Sequence, residues 1–573
     1  MHRILDCLMA GENLTHMAIL RNDQALLTFA PEQGKGGYVE MATGSYSGAT
    51  TTIATTAAKP GDTSITVASD SSITVGGFLQ IGTVDGTYAN TVMEAEIRRV
   101  EYLDGVQIHL DAPLGFHHAI SQAVKGVSGI TAFGNTANPD YPLITLTPGI
   151  WETIDAPDPE PTITPRWFLG NGNKRGFSVV TAGMQNYVGS IPNMVLLNGK
   201  GLRFAIGKVV TSASAKVGTT ITLNGDHNKG DCYITVSSSH GLEAGNLVWV
   251  DDTDATKGEI RKVTAVPSTN VMKLDHPLQF AHSNAVSCDE VATSGIVYTH
   301  TITETTDLDS VTWNIAMQDS AESTTFIRRY YGGKVGQLTL EAEEGGLLNA
   351  SWDSVNFMGL VHNQATYTGK GDLGYGSTNM PMFGRLHNIT NTQVEYPATE
   401  PFYFSQGEVK FFGTTFARIR NFNLSISNND EARHYITPRH GRNRGPSEIV
   451  EGRREYTMAC TLALPDSDAT ESTTVANSQT LFKELLLEGN YGTTTTPSNT
   501  GFSITLTFTR GTNDTMTITI PDDGTAAAGI QESGAYIMAA THNITTDGPM
   551  QIEADVIFRN LKIVVVDGDY LYV

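Results

Sequence analysis

The stretch FSITLTFTRGTNDTMTITI, residues 502–520, carries the clearest fold signal in the chain. Apolar residues alternate with Ser and Thr on both sides of a short break, at Phe502, Ile504, Leu506, Phe508, Met516, Ile518 and Ile520. A period of two places such residues on one face of a strand, and Gly, Asn and Asp in the break favour a tight turn. The stretch therefore predicts an antiparallel hairpin with one buried face.

The same alternation occurs in NFNLSIS (421–427) and LNASW (348–352). Helical patterns are rare, and the best is NSQTLFKELLLEG (477–489). Asn477 or Ser478 can cap this helix and Gly489 can end it. One helix among many strands predicts a mainly β protein, a sheet sandwich with a helix on its flank.

Length and charge narrow the class of protein. The 573 residues suggest three to five domains, and 40% apolar content is enough for packed cores. The net charge of −23 disfavours binding of the nucleic acid backbone, but it does not oppose a role beside DNA.

Four cysteines are present, Cys7, Cys232, Cys288 and Cys460, and they form no CxxC pair. Buried free thiols are favoured over a Cys232–Cys288 disulfide. The N-terminal residues are too weakly apolar for a signal peptide, and no apolar run reaches the roughly 18 residues of a membrane helix. We expect a soluble protein made in a cytoplasm.

A first internal repeat defines two small modules. Three segments recur in the same order and with similar spacing: GDTSITV (61–67) with GDCYITV (230–236), EIRRV (96–100) with EIRKV (259–263), and LDAPLGFHH (110–118) with LDHPLQFAH (274–282). The repeat predicts two copies of one β-module, at 50–127 and 217–290. Asp62 and Asp231 are expected in turns.

A second, fainter repeat starts at Ile-Thr-Pro-Arg, residues 163–166 and 436–439. A Gly/Asn/Arg-rich run follows each copy, and then a Tyr-containing strand, at Tyr187 and Tyr456. This predicts a tandem duplication of a larger β domain, at about 128–375 and 396–573, with the second small module inserted in the first copy.

Few residues suggest a binding site. GNGNKRG (170–176) is Gly-rich and basic, but no helix follows it, so a flexible loop is favoured over a phosphate cradle. His118 and His282 recur in the two modules without a second metal ligand at fixed spacing, which favours a packing or turn role.

For the acidic clusters, too, a structural role is favoured over ligand binding. DDTD (251–254) lacks the Gly and distal Glu of an EF-hand, so a solvated turn is favoured. Glu341 and Glu343 share one face of a predicted strand, with Glu344 in the turn, which favours a carboxylate cluster facing solvent or a lumen. We predict no catalytic, cofactor-binding or metal-binding residue, and no enzyme.

Several segments together resemble the tail tube proteins (major tail proteins) of long-tailed phages and tailed archaeal viruses. They are 187–209, 298–318, 328–359, 417–436 and 446–462. The resemblance covers about 163–213 and 292–573, and the small modules fall outside it. It implies β-sandwich or barrel domains, each with a flanking helix. Sheets of neighbouring subunits would continue around a ring, rings would stack through loops and arms, and DNA would pass along the channel.

Together with the duplication, the resemblance implies a domain division and a stoichiometry. If a ring needs six tube domains, three chains supply them, giving a homotrimer with pseudo-sixfold symmetry; a hexamer is the alternative. The expected units are 1–49 (N-terminal segment, part of the first tube domain or an arm), 50–127 (first module), 128–216 and 291–375 (first tube domain), 217–290 (second module), 376–400 (linker) and 401–573 (second tube domain).

The expected function is therefore structural. The protein would assemble in the host cytoplasm into the virion tail tube, a conduit with a negatively charged lumen for viral DNA. Its partners would be itself and other tail proteins (tape measure, terminator, baseplate or tip), with no membrane and no specific DNA binding. The alternative is a β-modular receptor- or carbohydrate-binding virion surface protein. A third possibility, a glycan-cleaving tailspike, would need regular parallel coils that the sequence does not show.

Overall fold

The structure is a computed structural model that describes residues 26–32, 42–82, 95–133, 149–167, 177, 179–217, 221–238, 240–292, 294–318, 324–362, 400–411, 415–416, 418–435, 445–463, 502–522, 534–543 and 550–572. Several sequence predictions lie outside these residues. They concern the helix at 477–489, the loop at 170–176, the second Ile-Thr-Pro-Arg at 436–439, Cys7, and the linker apart from Glu400.

The strands of the first part of the chain are β1 (Leu26–Pro31), β2 (Ala42–Thr52), β3 (Ser64–Thr66), β4 (Phe78–Ile81), β5 (Glu96–Asp104), β6 (Gln107–Leu110), β7 (Ala123–Phe133), β8 (Gly149–Trp151), β9 (Glu160–Arg166), β10 (Val179–Leu196), β11 (Gly207–Ala213), β12 (Tyr233–Thr235), β13 (Leu247–Val250), β14 (Glu259–Ser268), β15 (Val271–Leu274), β16 (Cys288–Glu290), β17 (Tyr298–Glu304), β18 (Val311–Gln318), β19 (Thr324–Glu343), β20 (Asn349–Phe357) and β21 (Gly359–His362). A short helix, α1 (Arg203–Ile206), precedes β11.

The strands of the second part are β22 (Gly407–Phe411), β23 (Thr415–Phe416), β24 (Ile419–Ser427), β25 (Glu431–Arg433), β26 (Glu448–Val450), β27 (Glu455–Ala463), β28 (Ile504–Gly511), β29 (Asp514–Ile520), β30 (Tyr536–Asn543), β31 (Gln551–Phe558) and β32 (Lys562–Asp567). A 3-10 turn, Phe404–Gln406, precedes β22. The prediction of a mainly β fold is confirmed.

One large antiparallel sheet runs through both parts of the chain. Its main path has the order β30-β31-β27-β24-β19-β20-β10-β8, and β1, β9, β18 and β21 attach beside it. The first four strands of the path come from residues 419–558 and the last four from residues 149–357. The two groups meet where β24 pairs with β19 over seven residues, from Gln337 opposite Ser427 to Glu343 opposite Asn421. This β19–β24 pairing is called the seam below.

A second sheet, with the order β11-β17-β32-β29-β28-β22-β23, covers one face of the large sheet. The predicted hairpin forms β28 and β29, with Leu506 opposite Ile518 and Phe508 opposite Met516. Its apolar side chains are buried in one core with those of the large sheet, among them Leu338, Leu424, Met458 and Ile552. The result is a two-layer sandwich, which is why each strand at its centre alternates between buried and exposed residues.

The two small modules have their own sheets and their own cores. The first has the order β2-β7-β4-β5-β6-β3, and the second, written from its other end, the order β16-β13-β14-β15-β12. From β7 and from β16 onward, matching strands stand in the same order. The predicted turn residues also match, because the carboxylates of Asp62 and Asp231 accept hydrogen bonds from the backbone N–H groups of Lys59 and Asn228 at 2.7 and 2.8 Å.

Polar contacts stabilise the seam at the end where Gln337 lies opposite Ser427. The side-chain amide of Asn428 donates to the carbonyls of Val335 and Ala205, and its oxygen accepts from Arg454 at 2.7 Å. Lys334 donates to Glu451 at 2.6 Å. In the second sheet, β32 of the second part lies between β17 and β29, so both sheets join the two parts of the chain. In the part of the chain that the structure describes, no helix is long and apolar enough to cross a membrane.

Candidate functional surface

The large sheet exposes one face, and that face is acidic. At the seam, Leu340 and Ala342 of β19 point into the core, so Glu341 and Glu343 between them point outward. Strands β27 and β31 alternate in the same way. The exposed or half-buried carboxylates of the face are Glu341, Glu343, Asp353, Glu455, Glu553 and Asp555.

The central segments of these strands carry no cation that offsets the charges, and Arg420, at the start of β24, pairs with Glu344 in the turn. Segments 337–343, 349–357, 421–427, 455–463, 536–543 and 551–558 contain six carboxylates and no lysine or arginine. Their other outward residues are mainly amides, hydroxyls and alanines, such as Asn423, Thr457 and Ala459. A surface of this composition repels polyanions.

The register keeps the carboxylates apart across the strands. Glu341 lies opposite Asn423 and Asn349, and Asp555 lies opposite Ala459 and Ala539. The two carboxylates of this row are separated by three strand spacings, about 14 Å at 4.8 Å per strand. That distance exceeds the roughly 8 Å Debye length at physiological salt. The sheet therefore accumulates charge without placing like charges directly opposite each other, which would destabilise it.

A hairpin formed by β9 and the first part of β10 stands clear of the sheets, and its register pairs Arg166 with Val179. It carries the first Ile-Thr-Pro-Arg. Large apolar side chains on it are exposed, namely Ile163, Trp167, Phe177, Val179, Val180 and Met184. A two-stranded ribbon is marginally stable by itself in water, and large apolar side chains exposed on it favour contact with another surface. This element is called the projecting hairpin below.

The repeated histidines are buried beside repeated carboxylates. His118 Nε2 lies 2.7 Å from Glu96, and His282 Nε2 lies 2.7 Å from Glu259. Burial alone would raise the pKa of Glu96, but Arg98, His118 and the backbone amide of Gly115 outweigh it and hold the pKa below its ordinary value.

The second module repeats this balance for Glu259, where burial is outweighed by Arg261, His282 and the amide of Gln279. We call the two sets the Glu–Arg–His networks. Because all three members of each network are buried, they stabilise the modules and are not accessible to a ligand.

The remaining candidates also have internal partners. Asp251 lies 3.3 Å from His282, Asp252 pairs with Lys216, and Asp254 accepts from Thr256, so the DDTD stretch forms a bonded turn. Cys232, Cys288 and Cys460 are buried free thiols. Among the described residues, no group of three His, Cys, Asp or Glu side chains could hold a metal ion.

Sequence reasoning identified Glu341 and Glu343 but missed the rest of the face. Asp353, Glu455, Glu553 and Asp555 also alternate with buried residues, so strand periodicity could have found them one strand at a time. That they share a single surface follows from strand order, which the sequence does not show. Glu96 and Glu259 were part of a recognised repeat, but their pairing with His118 and His282 was not foreseen.

Fold and surface together define an antiparallel β protein whose largest sheet presents an extended acidic face. The chain belongs to the phage tail tube protein family, because the family's model matches residues 181–558, more than half of the chain. It is thus a structural component of a virion tail that assembles with itself into a tube and associates with other tail proteins. Such membership suggests a protein without enzymatic activity. No curated protein matches the chain.

Proposed function

We propose that this protein forms homotrimeric, pseudo-sixfold rings that stack into a tail tube, with the acidic sheet face lining a channel for viral DNA. The single observation that carries the proposal is the repeated strand order of the large sheet. The groups β30-β31-β27-β24 and β19-β20-β10-β8 stand side by side in one chain.

The two groups correspond strand by strand. Tyr187 of β10 lies opposite Phe357 of β20, and Tyr456 of β27 lies opposite Phe558 of β31. These are the tyrosines of the fainter sequence repeat. With β10 equivalent to β27 and β20 to β31, β8 corresponds to β24 and β19 to β30. The seam is therefore the antiparallel contact of a β24-type strand with a β19-type strand.

Among the described strands, the sheet path ends at β8 and at β30, which correspond to β24 and β19, the two strands of the seam. All neighbours along the path are antiparallel, so a β8 edge and a β30 edge of successive chains have the directions required to repeat the seam. A head-to-tail contact of this kind closes into a ring and removes exposed sheet edges. Three chains then supply six equivalent groups.

The same correspondence supports the domain division. The first tube domain comprises 128–216 and 291–375, and the second comprises 401–573, linked by 376–400. The modules at 50–127 and 217–290 are insertions with separate cores, which we place on the outside of the tube. Segment 1–49 belongs to the first tube domain or to an arm.

The acidic face suits a conduit. Each phosphate contact adds affinity for DNA and would slow its passage, whereas a wall made largely of carboxylates, amides and hydroxyls repels the phosphates. The projecting hairpin suits an arm between neighbouring subunits or rings, since assembly would cover its apolar residues. We further propose that the tube is assembled in the host cytoplasm.

Electron microscopy of the purified protein tests the ring. Hollow tubes with three chains and six similar densities per ring are expected, and rings of six identical chains would overturn the trimer. The lumen is tested with Glu341→Lys combined with Glu553→Lys. Wild-type tubes should not retain duplex DNA, and the variant tubes should retain it in a salt-dependent manner. Glu243→Lys, an exposed position of the second module, is the matched control.

A further inference from the structure

Strands β25 and β26 form a two-stranded ribbon that continues the β24–β27 pair of the large sheet beyond a break. At the break, the Gly452 N–H donates to the Asn428 carbonyl at 3.0 Å, so the two chain segments stay adjacent. The residues between the two pairings, 428–430 and 451–454, are called the hinge below. The β25–β26 ribbon is thus attached to the sandwich through two short connections that pass side by side.

The hinge places two carboxylates opposite each other. The ribbon pairing starts with Glu431 opposite Val450, and the same register, continued by one position, puts Asp430 opposite Glu451. Glu431 is exposed and pairs with Arg433, whereas Asp430 and Glu451 are half-buried, as the alternation of a strand requires. Directly opposite residues have their Cβ atoms about 4.5–5.5 Å apart, and like charges there repel. Two carboxylates in one site tend to hold a proton between them.

The two carboxylates differ in their partners. Glu451 accepts hydrogen bonds from Lys334 at 2.6 Å and from the backbone N–H of Leu308 at 2.9 Å. Both side-chain oxygens of Asp430 are buried and have no hydrogen-bond partner among the described residues. Burial and the charge of Glu451 raise the pKa of Asp430 to about 7, although Lys334 and Arg454 oppose the shift. Asp430 is therefore the member of the pair that takes up the proton.

The hinge is electrically neutral only when Asp430 carries that proton. Lys334 pairs with Glu451, and Arg454 pairs with Glu304 at 3.0 Å, so two cations balance two carboxylates. An ionised Asp430 adds one unmatched negative charge, and its oxygens are shielded from water. An unpaired charge in such a place is costly, which favours the bound proton.

The cations near Asp430 have other carboxylates to serve. Among the described residues, Lys334 and Arg454 are the two cations that act on Asp430. Lys334 also acts on the carboxyl groups of Glu32 and Asp309. Neither cation is therefore available to neutralise Asp430 when it loses its proton, and the repulsion between the opposed carboxylates is left in place.

The β25–β26 ribbon has neighbours that its movement would affect. Beyond β25, the His434 side chain lies 3.1 Å from the side chain of Asn186 in β10. On another side, Ile449 of the ribbon and Tyr102 of the first module line the same cleft, which has a volume of about 1160 Å³. A ribbon that swings at the hinge would break the contact with β10 and change the shape of this cleft.

We propose that Asp430 and Glu451 form a proton-operated latch at the base of the β25–β26 ribbon. With a proton on Asp430, the hinge is neutral and the ribbon stays docked against β10. Without it, the opposed carboxylates repel each other and the ribbon is released, while β24 and β27 keep their pairing because they end before the hinge. The latch is a property of a single chain and does not depend on the proposed ring.

Peptide-resolved hydrogen exchange of the full chain between pH 5 and 9 tests the latch. The pKa of Asp430 in the folded chain, about 7, lies above the value of roughly 3.9 in an unfolded chain. The stabilisation is therefore complete below about pH 4 and is lost as pH rises through the folded value. After correction for the intrinsic exchange rate, the protection of residues 431–435 and 445–450 should fall at least about tenfold from pH 5 to pH 9. Protection of β24 and β27 should not follow this change.

Asp430→Asn keeps the shape of the side chain but cannot ionise, so its ribbon should show a flat profile and higher protection than the wild type at pH 9. Two controls should keep the wild-type slope. They are Glu448→Gln, an exposed carboxylate of the same ribbon, and His434→Gln, which removes the other titratable group beside β10. A wild-type profile without a fall, or a fall that persists in Asp430→Asn, would overturn the latch.

Infrared difference spectroscopy detects the proton itself. The wild-type protein should show a carboxylic acid band that disappears as pH rises through about 7. Asp430→Asn should lack that band, and Glu448→Gln should retain it. If no such band titrates in the wild type, Asp430 is not the proton site and the proposal is refuted. A band that titrates while the protection of the ribbon stays constant would likewise refute the latch, because the proton would then move nothing.

Discussion

The two small modules share a strand order and a buried Glu–Arg–His network, but they differ in what faces the other side of the histidine. In the second module, Asp251 lies 3.3 Å from His282 Nδ1. Asp251 directly follows β13, and the residue that directly follows the matching strand β4 of the first module is Gly82. His118 Nδ1 is buried without a hydrogen-bond partner among the described residues. The networks are otherwise the same, down to the arginine that donates to a proline carbonyl, Arg98 to Pro113 and Arg261 to Pro277.

This difference shows that the modules depend on the shared glutamate and not on the aspartate that only one of them has. The shared glutamate receives two backbone amides, an arginine and a histidine, so it organises the end of the module from inside the core. The aspartate is an addition in one copy. The backbone has a positive φ at both positions, 57° at Asp251 and 85° at Gly82, so the turn itself is retained whether or not the carboxylate is present.

The largest effect is expected from removing the glutamate. Glu96→Ala and Glu259→Ala should each destabilise their own module by about 3–5 kcal/mol, because a buried arginine and histidine lose their anion. Hydrogen exchange of the full chain, resolved by peptide, measures each module with the other as internal reference. Glu243→Ala, at an exposed position, is the control. A loss of protection under about 1 kcal/mol would show that the networks do not hold the modules together.

Replacing the histidine should destabilise the two modules to different extents. His282→Gln leaves two carboxylates, Glu259 and Asp251, without their shared partner, whereas His118→Gln leaves only Glu96. We expect a cost of about 1–3 kcal/mol in the second module and a smaller cost in the first. Peptide-resolved exchange of both variants measures this difference. Equal costs would contradict the assigned role of Asp251.

The pH dependence of the second module follows from His282. Burial opposes its charge, but Glu259 and Asp251 outweigh burial and raise the pKa of His282 above its ordinary value. A folded-state pKa above the unfolded one gives stabilisation that is complete below about pH 6.5 and is lost as pH rises through the folded value. The opening free energy of this module, measured by hydrogen exchange between pH 6 and 9, should therefore fall with pH. His282→Gln should flatten the profile, and a rising profile would contradict the sign.

The smallest effect is expected from exchanging the residues that differ. Asp251→Gly relieves a left-handed conformation that costs roughly 1–2 kcal/mol but removes a partner of His282. The two changes oppose each other, so the stability of the second module should shift by no more than about 1 kcal/mol. The pKa of His282 should nevertheless fall, which a nuclear magnetic resonance titration of its ring detects. An unchanged titration would show that Glu259 alone sets that pKa.

Local sequence patterns predicted the structure correctly where the pattern lies within a single strand or hairpin. The alternation in 502–520 predicted the β28–β29 hairpin, and the apolar positions of 421–427 are buried as expected. The two-module repeat predicted turns at Asp62 and Asp231. Pairings between distant segments were not predicted, among them the seam, which joins residues about 84 positions apart, and the position of β32 between β17 and β29.

The sequence by itself determined the β class, the repeated modules and the placement of Glu341 and Glu343 on one face, because a period of two fixes which side of a strand a residue occupies. Only the tertiary structure decided that six carboxylates share one surface and that Glu96 meets His118. Those outcomes depend on which strands are neighbours. Neighbours are chosen by burial and hydrogen bonding over the whole chain, and no local pattern records that choice.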